Sequence, residues 1–392
     1  MDERIILHCD LDNFFASVEC VFRPELKNVP MIVCGNESER HGVVLAKNQL
    51  AKKAGIKTAE TVWQARKKCP GLVTVPPQMA KYREFSVKAR EIYLRYTDLV
   101  EAFSIDECWL DVTGSTRLFG NGEQIAKRIQ TDMKNELGLT VSVGVSFNKY
   151  FAKLASDVNK PDGIFIVGAD DFKEKLYKRP ATELMGVGES TRAKLSSVGI
   201  FTIGDLASAS EALMKKLLGK HGEGLWKAAN GLECEPVLRY GDAPRPKSIG
   251  RSTTLSEDTT DLSYLRSVLA ELSDDISSSL RREKLFAASV QIQIKDNLFK
   301  VSQYQKHLSK PTRIADELLK AGIELINDND AIKNPVRLIG ITAGDLTDEA
   351  VGVQLSFDVD ESHSEKMEEL GVRVDGLREK YGKSVIKRAS QI

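Results

Sequence analysis

Short apolar runs alternate with amphipathic stretches over the first 167 residues of the chain. The run "RIILHC" at residues 4–9 predicts a buried strand, and "DLDNFFASVE" directly after it predicts a helix. Further strands are predicted for "MIVC" and "LTVSVGVS", and further helices begin at Val44, span Tyr82 to Tyr96, cover "EQIAKRIQTDMKNEL" and begin at Asn148. The stretch "PGLVTVPP" predicts a loop. Strands and helices that alternate in this way predict an α+β sheet domain.

The rest of the chain divides into a helical part and a second module of strands and helices. Residues 168–235 are predicted to be all-helical, and "VLRYGDAPRPK" after them has Pro and Gly without periodicity, which is typical of a linker. One compact module follows, with strands "KSIGRSTTL", "ASVQIQIKD", "FKVSQYQKH" and "VRLIGIT" and helices over 263–284 and 312–326. The tail from Leu346 is acidic and then helical.

The composition is that of an ordinary globular protein. Of the 392 residues 42% are hydrophobic and 29% are charged, and a chain of this length predicts several domains. Lys plus Arg and Asp plus Glu both number 56, so net charge gives no sign of a nucleic-acid partner. There are six cysteines without a C-x-x-C pair, and no apolar run approaches the roughly 20 residues of a membrane span. We therefore predict a cytoplasmic protein without a membrane segment.

Acidic residues stand where predicted strands end or are interrupted. Asp10 and Asp12 follow the first buried strand, and the adjacent pair Asp106 and Glu107 interrupts "AFSIDECWLDV". A plain strand points neighbouring side chains to opposite faces, so we place this pair on a hairpin turn. Asp10 and the pair can then converge on Mg²⁺ ions, while the alternative is that these acids cap turns or pair with Lys and Arg. Without metal, repulsion within the cluster should raise the pKa of one carboxyl.

Three motifs in order, "HCDLDNFFASVE", "SIDE" and "VSFNKYFAKLASDVNKPDG", resemble those of the Y-family translesion DNA polymerases, closest to the bacterial DNA polymerase IV type. The resemblance runs over about residues 1–346 and implies a multidomain, right-hand-like α+β fold. The domains that it implies are a palm (1–18 and 78–167), fingers (19–77), a helix-hairpin-helix thumb (168–236), a linker (237–246), a little finger (247–346) and a C-terminal tail (347–392).

The resemblance also implies which residues form the active site. Asp10, Asp106 and Glu107 would be the catalytic ligands of two Mg²⁺ ions, with the Leu11 carbonyl as a backbone ligand, whereas Asp12 is interpreted as structural. Phe15 would exclude a ribose 2′-hydroxyl. The residues implied at the nucleotide are Phe14 (itself interpreted as core), Phe15, Gln49, Lys52 and Lys160. For Lys160 the alternative is a solvated turn lysine, and Asn148, Lys149 and Lys153 beside it are interpreted as helix-start and packing residues.

The predicted fingers depart from the family pattern. The family has N-Y-x-A-R where this chain has "NQLAK", so Gln49 replaces a tyrosine and Lys52 replaces an arginine. Lysine keeps the positive charge but lacks the two-pronged guanidinium of arginine. Lys47 nearby supplies further charge. The departure brings nucleotide affinity into question, but not the type of reaction.

Three further surfaces are predicted to bind macromolecules. "GVGESTRAKLSSVGI" resembles a helix-hairpin-helix, in which Gly186 and Gly188 would let backbone N–H groups approach a DNA phosphate; a plain tight turn is the alternative. In the little finger one sheet face is polar, so it either lies along DNA or is simply solvated. Its candidate phosphate contacts are Arg251, Arg281, Arg282 and Lys300. In the tail, Gln354, Leu355 and Phe357 resemble a peptide that binds the bacterial sliding clamp, the alternative being the end of a strand.

The resemblance implies a template-directed DNA polymerase for low-fidelity bypass of damaged DNA, and we expect it to be a monomer. It would add deoxynucleotides to a primer 3′ end by two-metal phosphoryl transfer, with primer–template DNA, deoxynucleoside triphosphates and the sliding clamp as partners. One alternative is a catalytically weak accessory subunit that binds primer–template and clamp, and the altered fingers residues support it. The other is a nucleotidyl cyclase, which would need neither the thumb-like hairpin nor the clamp-like peptide.

Overall fold

The computed structural model describes residues 4–36, 42–242, 245–348, 361–382, 385–386 and 388. The chain divides into two compact units after Ala243. The first unit contains the regions predicted as palm, fingers and thumb, and the second contains the predicted little finger and the tail helix. None of the helices in these described ranges is long and apolar enough to cross a membrane.

A five-stranded sheet in the order β5-β6-β1-β7-β8 forms the centre of the first unit. Its strands are β1 (Ile6–Leu11), β5 (Val100–Ala102), β6 (Glu107–Asp111), β7 (Val141–Ser146) and β8 (Ile164–Ile166). The central strand β1 pairs antiparallel with β6 on one side and with β7 on the other. All residues of β1 and β7 are buried, including the polar His8, Asp10, Ser142 and Ser146.

Helices cover this sheet and complete its core. They are α1 (Phe14–Phe22), α4 (Met79–Tyr93), α5 (Thr116–Phe119), α6 (Gly122–Asp132) and α7 (Lys149–Val158). The helices predicted after the first strand, over Tyr82 to Tyr96, over "EQIAKRIQTDMKNEL" and from Asn148 are confirmed, although α4 begins and ends three residues earlier than predicted and α6 passes into a π-helical turn at Met133–Leu137. Asn148 begins α7, because its side chain accepts a hydrogen bond from the N–H of Phe151 at 2.8 Å. This cap confirms the helix start predicted there.

The predicted fingers contain a three-stranded sheet in the order β3-β2-β4 with two helices. The elements are β2 (Met31–Cys34), β3 (Val44–Lys47), α2 (Gln49–Lys53), α3 (Val62–Lys68) and β4 (Val73–Val75). The helix predicted to begin at Val44 is wrong, because Val44 begins a strand paired with β2 and the Asn48 side chain caps a helix that starts only at Gln49. The loop predicted for "PGLVTVPP" is also wrong, because Val73–Val75 pairs parallel with β2.

The region predicted to be all-helical is confirmed. It holds α8 (Phe172–Leu176), α9 (Glu189–Ser196), α10 (Ile203–Ser208), α11 (Glu211–Leu218) and α12 (Lys220–Ala229). Their apolar faces enclose a separate core that includes Leu195, Ile203, Met214 and Leu225.

The second unit is an antiparallel sheet in the order β11-β10-β12-β9 with helices on one face. Its elements are β9 (Ser248–Thr259), α13 (Leu262–Glu283), β10 (Phe286–Asp296), β11 (Val301–Thr312), α14 (Ala315–Asp328), β12 (Val336–Thr347) and α15 (Glu361–Tyr381). Helices α13 and α14 pack on the sheet, and α15 packs on α13. Buried and half-buried residues alternate along β10, so one sheet face contacts the helices and the other faces solvent, as the sequence predicts.

Candidate active site

The ends of β1 and β6 bring two of the predicted acids together. Asp10 lies opposite Glu107 in the antiparallel register of these strands. Asp106 lies in the turn between β5 and β6, and its backbone carbonyl accepts a hydrogen bond from the N–H of Leu11 at 3.1 Å. The predicted hairpin is therefore present, with Asp106 in the turn and Glu107 as the first residue of the strand. Because Asp106 lies in the turn, the two neighbouring acids need not point to opposite faces of the sheet.

The environment of Asp10 disfavours its ionised form. Burial is the largest of the influences that raise the pKa of Asp10 well above its usual range, and a hydrogen bond with Glu107 raises it further. The Lys160 ammonium acts in the opposite direction. The sequence predicts a raised pKa in this cluster from repulsion between carboxylates; the direction agrees, but burial is the larger cause.

The ammonium groups of two lysines form ion pairs with acids of this cluster. Lys160 Nζ lies 2.5 Å from Asp10 Oδ2 and 2.7 Å from Asp157 Oδ1. Lys153 Nζ lies 2.6 Å from Glu107 Oε1. The interpretation of Lys153 as a packing residue is therefore wrong, because its ammonium group pairs with an acid of the site. Lys149 likewise forms an ion pair, with Glu101 at 2.6 Å.

The residue types of this cluster suit a divalent cation, but the three carboxylates are not all directed at one point. Among the residues that the structure describes, no three His, Cys, Asp or Glu side chains are grouped closely enough to hold a metal ion. Asp106 Oδ1 accepts a hydrogen bond from Ser104 Oγ at 2.6 Å. Asp10 and Glu107 instead face each other, each with an ammonium group as counterion. Because carboxylate oxygens are the ligands that Mg²⁺ prefers, Asp10 and Glu107 fit such an ion, and Asp106 would join by leaving Ser104.

Asp12 ties the end of β1 to the turn after Lys160. Its carboxylate is buried, with Oδ1 accepting from Ser142 Oγ at 2.8 Å and Oδ2 accepting from the N–H of Asp162 at 2.8 Å. Asp162 is also bound by Lys134, whose Nζ lies 2.5 Å from Oδ2. Asp12 therefore holds in place the segment from which the Lys160 ammonium extends.

His8 is a buried residue near the site that the sequence did not single out. Its Nδ1 lies 2.9 Å from Ser156 Oγ, and the Ser156 hydroxyl donates to the carbonyl of Lys153, so His8 Nδ1–H is the donor to Ser156. Burial, with Lys153 and Lys160 nearby, holds the pKa of His8 well below its usual range. The neutral imidazole thus fastens β1 to α7 next to Lys153. A histidine within an apolar strand was the only signal that the sequence offered.

The two phenylalanines after the acidic motif have different environments. Phe14 is buried in the core of the sheet domain, as the sequence predicts. Phe15 is half-buried, and its ring stacks on Tyr82 with centroids 4.3 Å apart and an angle of 12° between the planes. The Tyr82 hydroxyl donates to Glu19 at 2.7 Å. Tyr82 therefore supports one face of the Phe15 ring and fixes its position.

A cavity of about 330 Å³ lies between α1, the start of α2 and the turn after Lys160. Asn13 and Ser17 line it on one side, Gln49 on a second and Asp162 on a third. The structure thus brings Gln49 close to the Lys160 turn. Lys52 lies one helical turn further along α2; burial and then the charge of Lys52 lower the pKa of Lys47.

The predicted DNA contacts are distributed over both units. In the first unit Gly186 has φ = 93° and its carbonyl accepts from His221 Nε2 at 3.0 Å, and Gly188 directly precedes α9. A positive φ of this size favours glycine, so the Gly186 turn depends on its residue type. In the second unit Arg251 and Lys300 are exposed, whereas Arg281 is not available to DNA in this arrangement. Its side chain is only 13% exposed and donates to Asp375 and Ser277.

The remaining candidates are Arg282 and the tail peptide. Arg282 is exposed, next to Arg281 in the last turn of α13. Gln354, Leu355 and Phe357 lie outside the residues that the structure describes.

Comparison with known proteins agrees with this architecture over nearly the whole chain. The impB/mucB/samB family matches residues 9–157, the C-terminal domain of that family matches 246–357, and a DNA polymerase-iota thumb domain matches 182–233. The DNA polymerase IV of Acetivibrio thermocellus is 45% identical over 98% of this chain and 97% of its own. DNA polymerase IV 1 of Bacillus subtilis is 37% identical over 99% and 93%. A solved Y-family DNA polymerase chimera, Dbh-Dpo4-Dbh, has a TM-score of 0.79 and 25% identity, covering 88% of this chain and all of its own.

Fold, acidic site and relatives define the class of protein: a Y-family, template-directed DNA polymerase that acts in translesion synthesis. Within that class the chain belongs to the DNA polymerase IV family. The predicted right-hand architecture, the enzyme class and the DNA and nucleotide partners are confirmed by these likenesses, and the accessory-subunit alternative is not favoured. DNA polymerases depend on divalent metal ions, and this dependence applies to the present chain.

Proposed function

We propose that Asp10, Asp106 and Glu107, with the Leu11 carbonyl, hold two Mg²⁺ ions during primer extension. The observation that carries this proposal is the opposition of Asp10 and Glu107 at the ends of β1 and β6, each neutralised by a lysine. Bound at these oxygens, the ions would activate the primer 3′ hydroxyl and stabilise the pyrophosphate leaving group.

The lysines have a second task in this proposal. Lys160 and Lys153 compensate the carboxylates of the site in the described arrangement. With Mg²⁺ at the carboxylates, Lys160 would not be needed as a counterion, and its ammonium would be free to contact the triphosphate, for which a flexible point charge is well suited. Asp12 would keep the Lys160 turn in position in both arrangements.

Nucleotide selection depends on Phe15 and on α2. The ring of Phe15, supported by Tyr82, lies under the deoxyribose and excludes a 2′-hydroxyl. Gln49 reaches the nucleotide from the cavity that it lines, and Lys52 adds positive charge one turn further on. Gln49 and Lys52 are the two residues of this set at which the chain departs from the family pattern.

Primer–template DNA is bound through its phosphates. The turn with Gly186 and Gly188 contacts the duplex backbone, and Arg251, Arg282 and Lys300 contribute from the second unit. We leave Arg281 out of this set because Asp375 and Ser277 engage its guanidinium.

The tail peptide is proposed to bind the bacterial sliding clamp through Gln354, Leu355 and Phe357. A glutamine followed by two apolar anchors suits a pocket in which few residues supply most of the binding energy. Loss of clamp binding in a Leu355→Ala, Phe357→Ala variant with unchanged extension in the absence of clamp would support it. Unchanged clamp binding would refute it. The monomeric state and the cytoplasmic location remain predictions of the sequence.

Metal titration tests the dependence on Mg²⁺ that this proposal requires. Protein freed of metal with EDTA should extend a primer only after Mg²⁺ is added back, while its affinity for primer–template DNA stays within about twofold, since the protein's phosphate contacts do not include the metal. Nucleotide addition at an undiminished rate in excess EDTA would contradict it.

A further inference from the structure

The second half of the fingers region is strongly basic although the protein as a whole has no net charge. Between residues 42 and 77 the sole acid is Glu60, and the basic residues are Lys47, Lys52, Lys53, Lys57, Arg66, Lys67 and Lys68. The thumb region, residues 168–236, has equal numbers of acidic and basic residues. Glu60 is itself bound, with Lys68 Nζ 2.5 Å from its Oε2. The excess positive charge is therefore a local property of the fingers.

An exposed tryptophan lies on this basic surface. Trp63 is 64% exposed, and Lys67 Nζ lies 3.6 Å from the centroid of its ring. Helix α3 packs inward through Val62 and Ala65, so the ring of Trp63 is not part of the fingers core. Proteins bind unpaired nucleic acid by stacking bases on aromatic rings and by contacting phosphates with cations close to those rings. Trp63 and Lys67 present this combination.

The basic surface is continuous with the nucleotide cavity. Gln49 at the start of α2 lines that cavity, and the exposed Lys52 and Lys53 follow at the end of the same helix. The Lys68 ammonium then donates to the carbonyl of Gly55 at 3.0 Å, which fastens the end of α3 to the end of α2. Helices α2 and α3 and the segment between them thus carry the exposed Lys52, Lys53, Lys57, Lys67 and Lys68 together with Trp63, and we call this basic surface the ridge.

We propose that this ridge binds the uncopied template strand ahead of the active site, as single-stranded DNA. Bases of that strand stack on Trp63, and its phosphates contact Lys53, Lys57 and Lys67. A template-directed polymerase carries such a strand throughout synthesis, and only unpaired bases are free to stack on a protein ring. The proposal goes beyond the duplex and nucleotide contacts given above, which do not include α3.

The test measures affinity as a function of the length of the template overhang. Fluorescence anisotropy would compare primer–template duplexes whose 5′ template overhang is one or eight nucleotides long, together with an eight-nucleotide overhang of abasic sites. In the wild type the eight-nucleotide overhang should bind about tenfold more tightly than the one-nucleotide overhang, within the range that stacking of a base supplies. Trp63→Ala should remove most of this gain, and Trp63→Phe should restore it. Trp63→Ala should leave binding to the one-nucleotide and abasic overhangs unchanged.

Charge is tested separately from stacking. Replacing Lys53, Lys57 and Lys67 together by serine removes three phosphate contacts. The slope of log K against log salt concentration for the eight-nucleotide overhang should therefore become less steep by about 2, at roughly 0.7 per contact for a single strand. Tyr381→Ala is the matched control, since Tyr381 is an exposed ring with Lys380 Nζ at 5.1 Å. It should behave as the wild type on every substrate.

Two outcomes would overturn the proposal. If Trp63→Ala weakens binding equally for all overhangs, or for none, the tryptophan does not bind unpaired bases. If the three-serine variant raises the apparent KM for deoxynucleotides while the dependence on overhang length stays intact, the ridge serves the incoming triphosphate and not the template strand.

Discussion

At the scale of single residues, Asp12 links the sheet to the lysine that is proposed to meet the triphosphate. Its carboxylate accepts hydrogen bonds from Ser142 and from the backbone of Asp162, two residues after Lys160. A buried N–H or hydroxyl that loses its partner destabilises its surroundings by about 1–3 kcal/mol. The position of Lys160 therefore depends on a residue that does not touch the nucleotide.

Asp12→Ala should consequently raise the apparent KM for deoxynucleotides by about tenfold, equivalent to about 1.4 kcal/mol. Steady-state insertion of a single nucleotide measures it, with primer–template affinity as the internal reference. Asp12→Asn is the control, because its amide can accept from the Asp162 N–H and donate to the Ser142 hydroxyl, and it should stay near the wild type. An unchanged KM in the alanine variant would show that the Lys160 turn is held by other contacts.

Phe15 permits a second prediction at this scale. Removal of its ring in Phe15→Ala opens space beside the sugar, so discrimination between deoxy- and ribonucleotides should fall at least about tenfold, or about 1.4 kcal/mol of transition-state preference. Phe15→Tyr keeps the ring and should keep the discrimination. The ratio of kcat/KM for the two sugars is the measurement, and equal ratios in wild type and Phe15→Ala would assign Phe15 to the core alone.

The sequence located acids more reliably than their partners. Asp10 and Glu107 could be predicted because a motif surrounds each of them, and the structure places them opposite each other. The pairing of Lys153 with Glu107 could not be predicted, because it joins residues 46 positions apart through the packing of α7 on the sheet. Residue type and spacing indicate which charged residues form a site. Tertiary packing decides which residues form ion pairs with them.

At the scale of elements, the fingers were the part of the fold where local pattern failed. Val44–Lys47 pairs with Met31–Cys34, and Val73–Val75 pairs with the same strand from about 40 residues away. Short apolar runs of three or four residues carry no periodicity that separates strand from helix or loop, so the pairing partner decides. Longer elements such as α13 and β10 have clear periods and were predicted within two residues of their observed bounds, whereas β12 was predicted from the correct start but ends five residues later than "VRLIGIT".

Helix α2 carries the departure from the family pattern and the prediction that belongs to this scale. Gln49→Tyr with Lys52→Arg should lower the apparent KM for deoxynucleotides by about tenfold, because a rigid hydroxyl and a two-pronged guanidinium each improve a contact by about 1 kcal/mol. Primer–template affinity should change less. Lys53→Arg, on the same helix, is the matched control and should leave KM unchanged. If the double variant has an unchanged or higher KM, other groups such as Lys47 already bind the phosphates and the natural substitution is compensated.

At the scale of the whole molecule, a neutral chain is divided into regions of different charge. The excess of Lys and Arg in residues 42–77 lies in the segment that also contains Gln49 of the nucleotide cavity and Trp63, whereas the thumb region is balanced. Net charge therefore concealed a basic region that local counting reveals, and this region is the one that we propose to bind the template strand. The division into palm, fingers, thumb, linker, little finger and tail stays a prediction of the sequence, beside family matches at residues 9–157, 182–233 and 246–357.

The central claim is that Asp106 and Glu107 act with Asp10 in phosphoryl transfer, and single-turnover primer extension tests it most directly. Asp106→Asn and Glu107→Gln keep the shape of each side chain and remove its charge, so the rate of adding one nucleotide in saturating Mg²⁺ should fall at least about a hundredfold, or about 2.7 kcal/mol. Affinity for primer–template DNA should stay within about twofold. Glu101→Gln is the control, because Glu101 also pairs with a lysine but lies on β5 outside the acidic cluster, and it should keep a near wild-type rate. Extension by Asp106→Asn or Glu107→Gln at a rate close to that of Glu101→Gln would contradict the account.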